Sequence, residues 1–178
     1  MSDHHAWLQR FFAAHPQYTN EQRYQEAAVV LLRNLGCTHV TPEAEITPRM
    51  RVDVAAVLPD QCGFVYVECK NFERTISNYV DAVMQAASYA DAIKHPVFIG
   101  PFDGSRTTLC NGAIDDGMSV LHLMAGRLNV GYLAVSDSGG VQLILRGQVI
   151  FSTFSGAHSD FQNLYKYVTR VGSKQVKA

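Results

Sequence analysis

Between Arg51 and Lys70 the chain reads Arg-Val-Asp-Val-Ala-Ala-Val-Leu-Pro-Asp-Gln-Cys-Gly-Phe-Val-Tyr-Val-Glu-Cys-Lys. Val52 to Leu58 and Phe64 to Cys69 are rich in β-branched and aromatic residues, and Pro59-Asp60-Gln61-Cys62-Gly63 has turn chemistry, so the stretch predicts a β-hairpin. Three charged side chains interrupt it: Asp53, Glu68 and Lys70. Because side chains alternate across a strand, Glu68 and Lys70 share one face while Val65, Val67 and Cys69 share the other. A hairpin folded about Gln61 sets Asp53 opposite Glu68 or one step from it, and directly paired residues have Cβ atoms roughly 5 Å apart. Two carboxylates that close repel and raise each other's pKa, so an apolar hairpin that carries them calls for a compensating cation. Mg²⁺ suits such a pair, since it takes one or two carboxylates, several waters and phosphate oxygens. Lys70 would then stabilise an attacking water or developing negative charge. The alternative is a solvated edge strand with an ordinary ion pair, against which the apolar composition of both faces counts.

An Asp opening a hairpin, here Arg51-Val52-Asp53, followed by Glu68-Cys69-Lys70 on the next strand, resembles the PD-(D/E)XK nuclease superfamily with its restriction-endonuclease-like fold. Val52 stands where that family's first motif often has Pro. The resemblance implies an α/β fold whose core runs helix, three strands, helix, strand, with a mixed central sheet flanked by helices, and it covers about residues 20–101. It implies that Asp53, Glu68 and Lys70 are catalytic, and that Mg²⁺, with Mn²⁺ as a substitute, is held by Asp53, Glu68 and the backbone carbonyl of Cys69. DNA is the implied substrate, with RNA left open. In this family the helix before the hairpin often carries a Glu that extends the metal site, and Glu26 is the best match, the alternative being a plain surface glutamate. Glu21 ranks second, because an acid in a first helical turn already has a helix-dipole reason to be there. Gln85 and Tyr89, at i and i+4, project together. They resemble the Gln-x-x-x-Tyr accessory motif of the branch typified by nuclease domains of bacterial recombination enzymes, or else belong to an amphipathic surface.

The rest of the chain supplies the frame. Asp3 to Ala14 has a helical apolar pattern (Trp7, Leu8, Phe11, Phe12) that ends at His15-Pro16. Thr19 or Asn20 is expected to cap a helix from Glu21 to Leu35, closed by Gly36, with Tyr24, Ala27, Ala28, Leu31 and Leu35 facing inward. His39 to Ile46 reads as the first strand, from which Glu43 or Glu45 could reach the carboxylates, and Pro48-Arg49-Met50 turns it into the hairpin. After Lys70 a helix is expected to about Ile93 from a cap at Thr75 or Ser77, with Val80, Val83, Met84 and Ala87 as its buried stripe. His95 to Gly100 is a short buried strand reached by a parallel crossover. A helix over Ile114 to Leu128, with His122 in its core, and strands over Val130 to Ser136, Val141 to Leu145 and Gln148 to Phe154 follow. A helix over Ser159 to Val171 completes a C-terminal β-hairpin plus helix extension, about 102–172, of a single domain spanning 1–178.

Composition narrows the function. A formal net charge of −1 argues against bulk electrostatic coating of nucleic acid and leaves phosphate contacts to local groups. These are Arg49 and Arg51 before the Asp, Lys70 and Arg74 after the second strand, and Lys166, Arg170, Lys174 and Lys177 near the end. The four cysteines, Cys37, Cys62, Cys69 and Cys110, lack metal or redox spacing and read as reduced structural thiols. With no membrane-spanning run and no leader-like N-terminus, a cytoplasmic location is expected, with no membrane partner. No Gly-rich phosphate loop, nucleophile elbow or zinc spacing appears, so no nucleotide cofactor is expected. Three hypotheses survive: a metal-dependent nuclease, probing DNA as its partner; a catalytically silent nuclease-like domain that binds nucleic acid; and a regulatory partner subunit. A nuclease of this size that makes double-strand breaks is expected to work as a homodimer.

Overall fold

The computed structural model describes residues 6–59, 63–71, 76–103, 125, 127–146 and 148–153. These form three helices and a seven-stranded sheet in the order α1 (Trp7–Ala14), α2 (Asn20–Asn34), β1 (Thr38–Thr47), β2 (Met50–Val57), β3 (Phe64–Glu68), α3 (Ile76–Ile93), β4 (Val97–Asp103), β5 (Val130–Val135), β6 (Val141–Leu145) and β7 (Gln148–Ser152). The strands lie in the sheet in sequence order. β1, β2 and β3 are antiparallel, β3, β4 and β5 are parallel, and β5, β6 and β7 are antiparallel again. The mixed sheet and the parallel step from β3 through α3 to β4 follow the sequence expectation.

Each face of the sheet carries its own core. On one side Leu31 and Leu32 of α2 pack with Val54, Val67, Phe98, Leu133 and Leu143. On the other, Tyr79, Ala82 and Ala86 of α3 pack with Ile99, Tyr132 and Ile144. This two-sided cover is what lets β5 and β6 be buried at every position, as strands sandwiched between layers are.

Helix α2 stops where its sequence says it should. Gly36 takes φ +89°, a left-handed conformation in which its amide bonds the carbonyl of Arg33, and the amide of Cys37 bonds that of Leu32. Its start differs from expectation, since Thr19 occupies the N-cap with extended backbone yet its side chain makes no capping hydrogen bond.

The stripe expected on α3 holds in part: Val83 is buried and Ala87 packs against the core, but Val80 and Met84 face outward. Tyr79, Ala82, Val83, Ala86 and Ala90 are the buried positions, whereas Val80 is 38% and Met84 60% exposed. Alanines let the helix sit close to the sheet, and Tyr79 anchors it by hydrogen bonding its hydroxyl to that of Tyr132, the two rings lying parallel 6.3 Å apart. Small residues thus outrank the bulkier Val80 and Met84 because the helix–sheet distance, not hydrophobicity alone, selects the face.

The hairpin itself is interior. β1, largely exposed, is the edge strand on this side, and β2 and β3 lie inside it, which overturns the edge-strand alternative. Cys37 and Cys69 are buried free thiols, as expected. Cys62, Arg74, Cys110, His122, the C-terminal basic group and the helix expected over 159–171 lie outside the described residues, as does most of that expected over 114–128.

Candidate metal and phosphodiester site

The β2–β3 ladder pairs Val54 with Val67 and Ala55 with Tyr66, a register that, continued by one residue, sets Asp53 opposite Glu68. Glu68 is the last residue of β3 and is 1% exposed. Both of its carboxylate oxygens are buried without a hydrogen bond, and Lys70 Nζ stands 3.6 Å from Oε1 as an ion-pair partner. Asp53 is better held, its Oδ2 accepting a 2.6 Å hydrogen bond from the amide of Cys69. The Cys69 side chain is fully buried among Val65 and Val67 on the α2 side of the sheet, as alternation requires, and burial pushes its thiol pKa well up.

The electrostatics follow from this burial. Removal from water raises Asp53 from 3.8 to about 6, against the opposing pull of the Cys69 amide and Lys70. Burial and the facing charge of Asp53 lift Glu68 from 4.5 to about 8. Lys70 is pulled both ways: burial disfavours its charge, but its hydrogen bond to Glu21 and the nearby carboxylates prevail and leave its pKa above the ordinary lysine value. With Glu68 raised to about 8, the cluster holds a proton at neutral pH as well as the lysine charge.

The acid that α2 contributes is Glu21, whose Oε1 lies 2.6 Å from Lys70 Nζ. Glu26 is half-buried and makes no hydrogen bond or ion pair with Asp53, Glu68 or Lys70, so the structure reverses the expected order of the two. Helical phase carries the reason. Glu21 precedes Tyr24 by three residues and Ala28 by seven, on the inward stripe, whereas Glu26 lies about 160° around the helix from Tyr24. Gln25, on the turn after Glu21, donates to the backbone carbonyl of Asp53 at 3.0 Å and to Glu43 Oε1 at 2.8 Å. Glu43 is thus the β1 acid that reaches this neighbourhood, through Gln25 and through its charge on Asp53, although it is as exposed as Glu45.

From α3, Gln85 Nε2 donates to the Tyr89 hydroxyl at 2.7 Å. Burial raises the Tyr89 pKa, and the charges of Glu68 and Asp53 add to the rise, which places the phenol within electrostatic reach of the carboxylates. Arg49 and Arg51 are exposed, and Arg51, two residues before Asp53, shares its strand face.

Among the described residues no three His, Cys, Asp or Glu side chains are grouped as a metal cage. Two facing carboxylates instead suit a hard cation that keeps most of its water, and the two orphaned oxygens of Glu68 are what such a cation would satisfy. Among the described residues no helix is long and apolar enough to cross a membrane. No family model matches the chain, and neither a curated protein nor a solved structure shows significant similarity to it.

Proposed function

We propose that this protein is a metal-dependent nuclease that hydrolyses phosphodiester bonds in DNA. The observation that carries the reading is Glu68: a carboxylate 1% exposed, without a hydrogen bond, set across a strand pair from a second carboxylate and beside a lysine. A buried carboxyl without a hydrogen bond is unfavourable whether it holds its proton or ionises, and a purely structural role would be filled better by an apolar residue. The order helix, three strands, helix, strand from α2 to β4 supports a restriction-endonuclease-like core.

Asp53 and Glu68 would bind Mg²⁺ or Mn²⁺ with the carbonyl of Cys69. When bound, the ion supplies Lewis-acid stabilisation of charge building on the scissile phosphate. Lys70 holds its positive charge at the site, positioned to orient the attacking water and to balance the pentavalent phosphate's charge. Glu21 fixes the direction of the Lys70 side chain. Gln85 donates to Tyr89, so the phenolic proton is left to meet a phosphate oxygen.

A binding-only domain is disfavoured by the same carboxylates, which would repel phosphates. The test is cleavage of linear, circular and single-stranded DNA with Mg²⁺ or Mn²⁺ by the wild type, Asp53→Asn and Glu68→Gln. Cleavage lost in both variants supports the assignment; full activity in either sinks it.

A further inference from the structure

A cleft of about 550 Å³ opens between the α1–α2 connection and the residue that follows Lys70. Phe12, Tyr18, Asn20 and Arg23 form one wall and Asn71 the other. Asn20 precedes Glu21 and Asn71 follows Lys70, so the 2.6 Å Glu21–Lys70 ion pair joins the same two segments and the cleft adjoins the carboxylate cluster.

Its lining combines flat surfaces with amides. Phe12 and Tyr18 are half-buried rings, and the Arg23 guanidinium lies 4.5 Å over the Phe12 centroid. Asn71 is only 9% exposed; its backbone carbonyl accepts a 2.7 Å hydrogen bond from Asn78, which fixes the residue, but its side-chain Oδ1 is buried without a partner. A buried amide oxygen left unsatisfied is unfavourable, and a ligand N–H arriving in the cleft would relieve it. The volume suits one nucleotide-sized group and is far too small for a duplex.

We propose that this cleft holds an unpaired base next to the scissile phosphate, so that the preferred substrate is single-stranded DNA or a frayed end. The inference rests on the nuclease reading of the adjoining carboxylates. The base stacks against Tyr18 and the flat guanidinium of Arg23 that lies over Phe12, while Asn71 accepts from its polar edge. Stacking of this kind is tolerant of sequence, because every base has a flat face. A paired base would have to leave its duplex first, which discriminates against intact double strands.

The experiment measures anisotropy of a fluorescent oligonucleotide of about a dozen nucleotides, single-stranded or in its duplex, with the full chain and with metal withheld so that nothing is cut. The wild type should bind the single strand more tightly. Tyr18→Ala and Asn71→Ala should each weaken single-strand binding about 5- to 100-fold and change duplex binding by less than about twofold. Tyr18→Phe, which keeps the ring, should restore wild-type affinity. Equal affinity for strand and duplex, unchanged single-strand binding in both alanine variants, or a free mononucleotide binding as tightly as the strand overturns the proposal. Single-strand preference with the expected losses, but no cleavage when metal is added, keeps the base subsite and removes the nuclease reading. Cleavage by both alanine variants with wild-type strand affinity keeps the nuclease and removes the subsite.

Discussion

The amide of Cys69 donates to Oδ2 of Asp53 at 2.6 Å, so the backbone at the end of one strand holds the carboxylate of the other. The residue that makes this bond directly follows Glu68, so main chain fixes the Asp53 carboxylate relative to the backbone that carries Glu68. Preorganisation of this kind matters for a metal site, whose ligands must converge without moving far.

That rigidity predicts a stabilising effect of metal. A ligand at about 100 times its Kd adds about 2.7 kcal/mol to the folded state, which for a domain of this size raises Tm by about 5–10 °C. Scanning calorimetry of the wild type with millimolar Mg²⁺ or Mn²⁺ should show the gain, and Asp53→Asn or Glu68→Gln should erase it. An unchanged wild-type Tm would remove the cation from the account.

Acidity gives a second, independent test. Asp53 at about 6 and Glu68 at about 8 both lie above their ordinary values, so the folded chain retains protons that the unfolded chain releases. Their contribution to stability is full below about pH 4 and is lost as pH rises through those two values. Without metal, the Tm of Glu68→Gln relative to wild type should therefore climb from about pH 5 to 8. With metal the trend opposes it, since deprotonation frees the ligands and the metal-induced gain should grow over the same range. A Tm difference that stays flat with pH would contradict the buried-acid description of Glu68.

Lys70 and Glu21 should separate binding from turnover. Lys70→Ala should keep the metal-dependent rise in Tm and cut the cleavage rate about 100-fold or more, as loss of a positioned charge-stabilising group does. Glu21→Gln leaves the lysine present but weakly directed, so a smaller loss, about 10-fold, is expected. In the double variant the second change should add little, and additive losses in single-turnover kinetics would show that the two residues act independently.

Tyr89→Phe and Gln85→Ala address the α3 pair. Both should fold with a Tm close to wild type, because each side chain is only half-buried. Tyr89→Phe should slow cleavage about 10-fold through loss of its hydroxyl, while Gln85→Ala has a milder effect of the same sign. Wild-type rates in both would assign the pair to the helix surface.

Much of this arrangement was legible in the chain because it depends on period two. Alternation placed Glu68 and Cys69 on opposite faces, and the turn composition set the register that brings Asp53 to Glu68, both of which hold. What escaped depends on distances between elements. A first-turn acid such as Glu21 has a local helix-dipole explanation that masks its role, and only its phase with Tyr24 and Ala28 marks it as facing inward. On α3, side-chain size pointed to Val80 and Met84, whereas contact with Tyr132 and the sheet selected Tyr79 and the alanines. The cleft beside Asn71 draws its walls from segments some fifty residues apart, a juxtaposition that no local pattern encodes.

The separations within the cluster also set an order of assembly. Asp53 and the Cys69 amide are 16 residues apart, whereas Lys70 and Glu21 are 49 apart, so closing the second contact costs roughly 1 kcal/mol more chain entropy than the first. The carboxylate pair can form with the hairpin alone, but the lysine acquires its direction only when α2 docks. During refolding, metal affinity should return before cleavage does, and a partly folded chain would hold the ion without the power to cut.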